Sequence, residues 1–108
     1  QMFFDNNDYF QFVERCRENG INVPIIPGLK PLASKKQLIA LPKIFNIDLP
    51  EALTNEVEKC KTDKEVVQLG NQWAIEQCKE LIKADVPVLH FYTMGKSAQT
   101  EAICQAIF

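Results

Sequence analysis

The stretch Val88-Leu89-His90-Phe91-Tyr92-Thr93-Met94-Gly95-Lys96-Ser97 decides the fold. Val88 to Tyr92 is a short apolar run rich in aromatic residues, and it reads as a buried strand. Thr93 to Lys96 forms a turn around Gly95, and Ser97 is a good N-cap for the amphipathic run that follows to the chain end. A strand that hands over to a helix in this way places its loop at the carboxyl edge of a parallel sheet, where α/β proteins bind ligands. Lys96, a cation beside the backbone amides of a helix start, suits an anionic or electron-rich ligand there.

The rest of the chain repeats this alternation. Gln1 to Phe4 reads as a short strand, Asp5-Asn6-Asn7 as a turn that supplies an N-cap, and Asp8 to Asn19 as a helix ended by a left-handed Gly20. Ile21 to Ile26 has the continuous apolar character of a parallel strand, although Pro24 is awkward inside it. Pro27 to Pro31 is a rigid loop, and Ser34 is an N-cap candidate for a helix from Lys35 toward Phe45 that Pro42 should kink or end. Leu49-Pro50 starts a helix extending to about Lys61. Thr62-x-x-Glu65 is a capping box for the longest helix, to about Lys83, in which Gly70 allows close approach by a neighbouring element. Ala84-Asp85 then turns the chain into the last strand. The order is β-α-β-α-α-α-β-α, an α/β pattern with right-handed crossovers. With helices on one side, three such strands form an arc of a barrel; with helices on both, a small doubly wound sheet.

Composition narrows the function classes. A chain of 108 residues makes one small domain, and 46% apolar with 24% charged residues marks it as globular rather than disordered. A net charge of −2 with both signs dispersed gives no footprint for nucleic acid or an anionic membrane. No apolar run approaches the ~20 residues of a membrane span. Cys16, Cys60, Cys78 and Cys104 fall in predicted helices without a C-x-x-C pair, and His90 is the only histidine, so no zinc spacing exists. They read as reduced thiols of a cytoplasmic protein, packed as small hydrophobes.

Few residues carry chemistry unaided. Gly95-Lys96-Ser97 between a strand and a helix is part of a P-loop, but His90 stands where the loop needs its first glycine. A P-loop-like phosphate binder is therefore the weakest reading. His90 reads as a satisfied core histidine before it reads as an acid–base group. Gln1 and Gln37 are neutral amides that can donate and accept, placed on a strand and in the first turn of the helix after the Pro-Gly loop. Paired carboxylates, a Ser-His-Asp set and a dinucleotide glycine fingerprint are absent.

Three stretches in order, Gln1-Met2-Phe3-Phe4-Asp5, Val23-Pro24-Ile25-Ile26-Pro27-Gly28-Leu29-Lys30-Pro31 and His90-Phe91-Tyr92-Thr93-Met94, together resemble methylenetetrahydrofolate reductase, a flavin-dependent family. Glu76-Gln77-Cys78-Lys79-Glu80-Leu81 fits that family's penultimate helix. The resemblance covers essentially the whole chain. It implies the closing three strand–helix units of a (β/α)8 TIM barrel, with residues 1–108 as a single C-terminal piece. That accounts for a chain opening on Gln1 without Met. It further implies that NADH or NADPH reduces FAD, and that the flavin passes a hydride to methylenetetrahydrofolate. By the same resemblance Gln1, Gln37, Lys96 and Leu41 contact folate and Met94 contacts the cofactor. Lys96 replaces a more usual arginine, and Gly95 a more usual asparagine. The catalytic acid and main flavin contacts lie upstream, so the piece is expected to hold no flavin tightly and to lack turnover. Its open sheet is expected to self-associate or to fold a helix across the exposed face. The alternative class is a stand-alone α/β binding module.

Overall fold

The computed structural model describes residues 1–108. Its helix ends follow local chemistry. The Asp5 carboxylate accepts the Asn7 amide at 2.9 Å, so α1 (Asn6–Glu18) begins slightly before the expected Asp8. Its end is a Schellman closure: Cys16 O accepts Ile21 N at 2.9 Å and Arg17 O accepts Gly20 N at 3.1 Å, with Gly20 left-handed at φ 78°. The same closure ends α4 (Asp63–Lys83), where Leu81 O takes Val86 N at 3.1 Å and Asp85 stands in glycine's place at φ 62°. At the start of α4, Thr62 Oγ1 accepts the Glu65 amide at 3.3 Å, and the Glu65 carboxylate takes the Lys61 amide at 2.8 Å. The expected capping box is thus shifted by one residue on its return side.

Two expected serine caps are not used. Neither Ser34 nor Ser97 accepts a capping bond; α2 (Gln37–Phe45) starts from Lys36 and α5 (Ala98–Ile107) from Ser97 without one. Pro42 does not end α2, which runs on to Phe45 and stops at a left-handed Asn46. Proline there denies Leu38 O its acceptor role, a local loss that one further turn tolerates. Pro50 precedes α3 (Glu51–Lys59) and its carbonyl accepts the Leu53 and Thr54 amides, both at 3.0 Å.

The strands are shorter than the sequence implies, and one is displaced. β1 is Gly28–Leu29, inside the expected loop, and β2 is His90–Phe91; they pair in parallel, Gly28 with His90 and Leu29 with Phe91. Met2 makes a single parallel bridge to Gly28. Ile21 to Ile26 is not a strand. Its carbonyls are taken by side chains of α1: Arg17 donates to Ile21 O at 2.8 Å and Val23 O at 3.0 Å, and Tyr9 donates to Ile25 O at 2.6 Å. Pro24 adds a missing donor, so this run lies across α1 with Ile21, Val23 and Ile26 exposed. Val88 is likewise exposed rather than buried, and His90 is exposed rather than a core histidine. β2 is an edge strand, with a partner on one side only.

The parallel α/β class is realised, with helices on both faces of the short sheet. Alternation along the strands separates the faces. Leu29, with Phe3, Leu89 and Phe91 beside it, joins a core with Ala74, Cys78 and Leu81 of α4 and Ile103 of α5. Met2 and Phe4, with Tyr92 beside them, join a second core with Leu41 of α2, Leu53 and Val57 of α3 and Val66 of α4. Helices α2 and α3 therefore lie over the face that a bare three-strand arc would leave open.

One close approach locks the two cores together. A Cβ on Gly70 of α4 would fall well inside contact distance of Leu32 O and 2.9 Å from Leu32 N. This is the close neighbour that a mid-helix glycine implies. Gly70→Ala should cost about 1–3 kcal/mol, because the obstacle is backbone that has nowhere to move. Gly20→Ala should cost about 1 kcal/mol from backbone strain alone, since nothing lies within 4 Å of that position. Urea unfolding of both variants checks the order; equal losses would contradict the close packing.

Candidate functional site

The loops that leave the carboxyl ends of β1 and β2 form a polar edge of the molecule. After β2, Lys96 N donates to Thr93 O at 2.9 Å. Met94 at φ 53° and Gly95 at φ 82° occupy the two central positions, which makes a type I′ turn. Glycine suits one of these positions; methionine in the other carries strain of about 1 kcal/mol or more. Lys96 leaves this turn exposed to solvent, directly before α5. The turn geometry differs from a phosphate-wrapping loop, whose first glycine is absent here.

After β1 comes Lys30, which the sequence analysis did not single out as a site residue. It is half-buried, and its stem borders the recess lined by Phe4, Leu53 and Trp73. Burial lowers the Lys30 pKa from its ordinary value, and the charge of Lys96 lowers it further. The ion pairs of the chain, Lys59–Glu56 at 3.2 Å and Lys79–Glu76 at 3.9 Å, lie elsewhere, on helical surfaces. The loop carrying Lys30 is fixed to the start of α5, because Gln99 Nε2 donates to Leu32 O and to Asn71 Oδ1, both at 2.9 Å.

Gln37 stands in the first turn of α2 and already holds a structural bond. Its Oε1 accepts the Ala33 amide at 2.6 Å and the Ser34 amide at 3.3 Å, reaching back to the preceding loop as the return side of a capping box does. Its Nε2 makes no hydrogen bond within the chain. Gln1 is at the other end of the same helix, where its Nε2 donates to Phe45 O at 2.7 Å. Eight residues of helix separate the two glutamines, about 12 Å along the axis. Leu41 is 4% exposed and belongs to the core with Met2 and Phe4. Met94 is 71% exposed on its turn. The structure thus gathers Lys96, Met94 and Lys30 at the edge of β1 and β2, and does not bring Gln1 or Leu41 to them.

A cleft larger than the recess beside Lys30 lies elsewhere. It encloses about 400 Å³ between Gln1, Phe3, Tyr9, Phe12, Ile26 and Asp48. Phe3 and Tyr9 stack inside it at 5.5 Å. Asp8 borders it too, and its pKa is raised by burial, then by the charges of Asp5 and Asp48. A rim with two carboxylates repels a diphosphate. Neither this cleft nor the exposed Met94 cradles a flavin dinucleotide within these residues. Metal ligation has no support either, because no group of three His, Cys, Asp or Glu side chains converges. The Cys78 thiol is pushed up to about 12 by burial, then by Cys104, and stays protonated and inert.

A buried amide pair supports the segment that follows the Met2 bridge, and no local sequence pattern points to it. Asn6 Nδ2 donates to Gln77 O at 3.1 Å and Glu80 Oε1 at 3.0 Å, and Gln77 Nε2 donates to Asn6 Oδ1 at 3.1 Å. Trp73 Nε1 donates to Phe4 O at 2.8 Å. These bonds tie residues about seventy positions apart, and no local pattern announces them.

The family model described as methylenetetrahydrofolate reductase matches residues 1–107. The chain is similar to a Caenorhabditis elegans protein named probable methylenetetrahydrofolate reductase (NADPH), 31% identical across 99% of this chain and 16% of that protein. It is similar to Arabidopsis thaliana methylenetetrahydrofolate reductase (NADH) 1, 34% identical across 88% of this chain and 16% of that protein. It is also similar to 5,10-methylenetetrahydrofolate reductase of Pectobacterium carotovorum, 32% identical across 99% of this chain and 36% of that protein. The chain therefore spans a minor part of the length of each relative.

Replacing Gln37 separates its structural role from any ligand role. Gln37→Ala leaves two backbone amides without their acceptor and should cost about 1 kcal/mol in urea unfolding. Gln37→Glu keeps the acceptor oxygen and should restore most of that loss. Equal stability of all three forms would show that the bonds to Ala33 and Ser34 do not hold the loop.

Proposed function

The chain belongs to the methylenetetrahydrofolate reductase family, and from that membership we propose that it is the folate-side portion of a flavin-dependent reductase barrel. In the intact protein, NADH or NADPH reduces FAD, and the reduced flavin delivers a hydride to methylenetetrahydrofolate, giving methyltetrahydrofolate. This chain supplies the last three strand–helix units. Its own residues bind and orient: Lys96 meets anionic groups of the folate, Gln37 donates through Nε2, and Met94 packs against the cofactor. The catalytic acid and the main flavin contacts come from the preceding part of the barrel.

The observation that carries this reading is the family match over residues 1–107 together with the parallel register Met2–Gly28–His90. Two short parallel strands and a single bridge at Met2, in chain order and each followed by helical chain, are compatible with consecutive barrel units. In the barrel, Gln1 and Leu41 exchange their present contacts for ligand contacts: Gln1 releases Phe45 O, and α2 withdraws from the Met2 face. No helix of the chain is long and apolar enough to cross a membrane.

The intact protein, purified with this segment in place, should carry flavin and oxidise NAD(P)H in the presence of methylenetetrahydrofolate. Lys96→Ala in that protein should raise the KM for the folate, with the thermal midpoint nearly unchanged, because exposed substitutions stay within ~0.5 kcal/mol. Residues 1–108 alone should purify colourless. Stoichiometric flavin absorbance in the isolated chain would overturn the division of labour, and a folate KM unmoved by Lys96→Ala would overturn the assignment of Lys96.

A further inference from the structure

The end of α1 carries a reactive pair that the folate reading does not use. Seven asparagines occur in the chain, and only Asn19 is followed by glycine. The side-chain carbonyl carbon of an asparagine can reach the next backbone nitrogen, and the five-membered ring that closes between them is a succinimide. A Cβ on the following residue crowds that nitrogen; Gly20 has none. Asn19 and Gly20 are both exposed, and nothing lies within 4 Å of the place where a Cβ on Gly20 would stand. Water and a rearranging backbone therefore have free access to the pair.

The fold nevertheless holds the reacting atoms apart. Asn19 has ψ 14°, which nearly eclipses Gly20 N with the backbone nitrogen of Asn19 and so directs it away from the side chain. Gly20 N is engaged with Arg17 O at 3.1 Å, and Asn19 Nδ2 donates back to Arg15 O at 2.8 Å. Ile21 N, bonded to Cys16 O at 2.9 Å, completes the closure. Ring formation has to rotate ψ of Asn19, and that rotation breaks the bonds of Gly20 N and Ile21 N together. Helix ends are among the parts of a structure that open at the lowest free energies.

We propose that Asn19 is a site of spontaneous deamidation, gated by opening of the α1 closure. In the opened form Gly20 N gives its proton to solvent and bonds to Asn19 Cγ. The Cγ–Nδ2 bond breaks, and Nδ2 leaves as ammonia. Water then adds to either carbonyl of the succinimide, giving aspartate or isoaspartate at position 19, with no electron gained or lost. The product does not re-form the same helix end. A carboxylate has no proton to donate to Arg15 O, and it brings negative charge to a helix C-terminus. An isoaspartate also adds a backbone carbon before Gly20, which moves Gly20 N and Ile21 N out of register with Arg17 O and Cys16 O. Each event therefore loosens residues 21–26, which Arg17 holds through Ile21 O and Val23 O. The inference stands apart from the folate reading and uses none of its site residues.

Peptide mapping of the intact protein, incubated folded at neutral pH, tests this. Mass spectrometry follows the deamidated product at each asparagine. Asn19 should lead the other six. It should react about tenfold or more slowly than in a synthetic peptide of residues 14–24, because two net backbone hydrogen bonds must open first. The protection of the Ile21 amide from hydrogen exchange in the intact protein should match that slowing. Arg17→Ala, which removes the ties beyond the closure without altering the reacting atoms, should move the rate toward that of the peptide. Product that accumulates first at another asparagine overturns the site. A rate at Asn19 equal to the peptide's, a slowing unrelated to the protection of Ile21, or a rate unmoved by Arg17→Ala overturns the gate.

Discussion

The backbone of Leu32 is the point on which the rest of the structure depends. Its side chain is 1% exposed in the core shared by α2 and α3. Its carbonyl accepts Gln99 Nε2 from α5, and its peptide presses against Gly70 of α4. Helix α5 and the later turns of α4 pack on the opposite face of the sheet, around Leu29, while Val66 of α4 belongs to the Leu32 core. Leu32 is thus where the two cores, each too small to be stable alone, are made to share one frame. Only glycine permits the approach, and only a side-chain amide long enough to reach across satisfies the carbonyl.

That frame explains why so little sheet suffices. Two residues of β1 and two of β2 give few ladder bonds, and an isolated pair of this length is not stable in water. The strands are held by their ends instead. Trp73 Nε1 bonds Phe4 O, the Asn6–Gln77 amide pair fixes the turn after Phe4, and Gln99 fixes the exit of β1. All of these anchors come from α4 and α5 or engage them. The carboxyl edge, where Lys30 and Lys96 stand, inherits its rigidity from these helices rather than from the sheet. A site built this way keeps its charges positioned before any ligand arrives, which lowers the ordering cost of binding.

Local chemistry was legible in the sequence where it acts over a few residues. The left-handed close of α1 at Gly20, the box at Thr62 and Glu65, and the close approach at Gly70 all follow from residue type at a fixed offset. The position of β1 was not. Ile21 to Ile26 is the more apolar run, but its carbonyls are claimed by Arg17 and Tyr9, whose reach depends on how α1 lies. The strand is then displaced to Gly28, where the missing side chain admits the ring of Tyr92; a Cβ there would meet that ring at 2.6 Å. The site divides the same way. Lys96 and Met94 were legible from the strand–turn–helix pattern and the family resemblance. Lys30 was not, because its significance comes from a neighbour sixty-six positions away in the chain.

Amide hydrogen exchange at His90 and Tyr92 tests the clamped frame most directly. Their amides donate to Pro27 O at 3.0 Å and Leu29 O at 2.9 Å, the bonds that join β2 to β1. If the frame at Leu32 holds the edge, these two amides open only when the whole molecule unfolds. Their exchange free energies should then equal those of Cys78 and Leu81 in the middle of α4. Exchange at His90 and Tyr92 through a local opening, at free energies well below those of α4, would contradict the account.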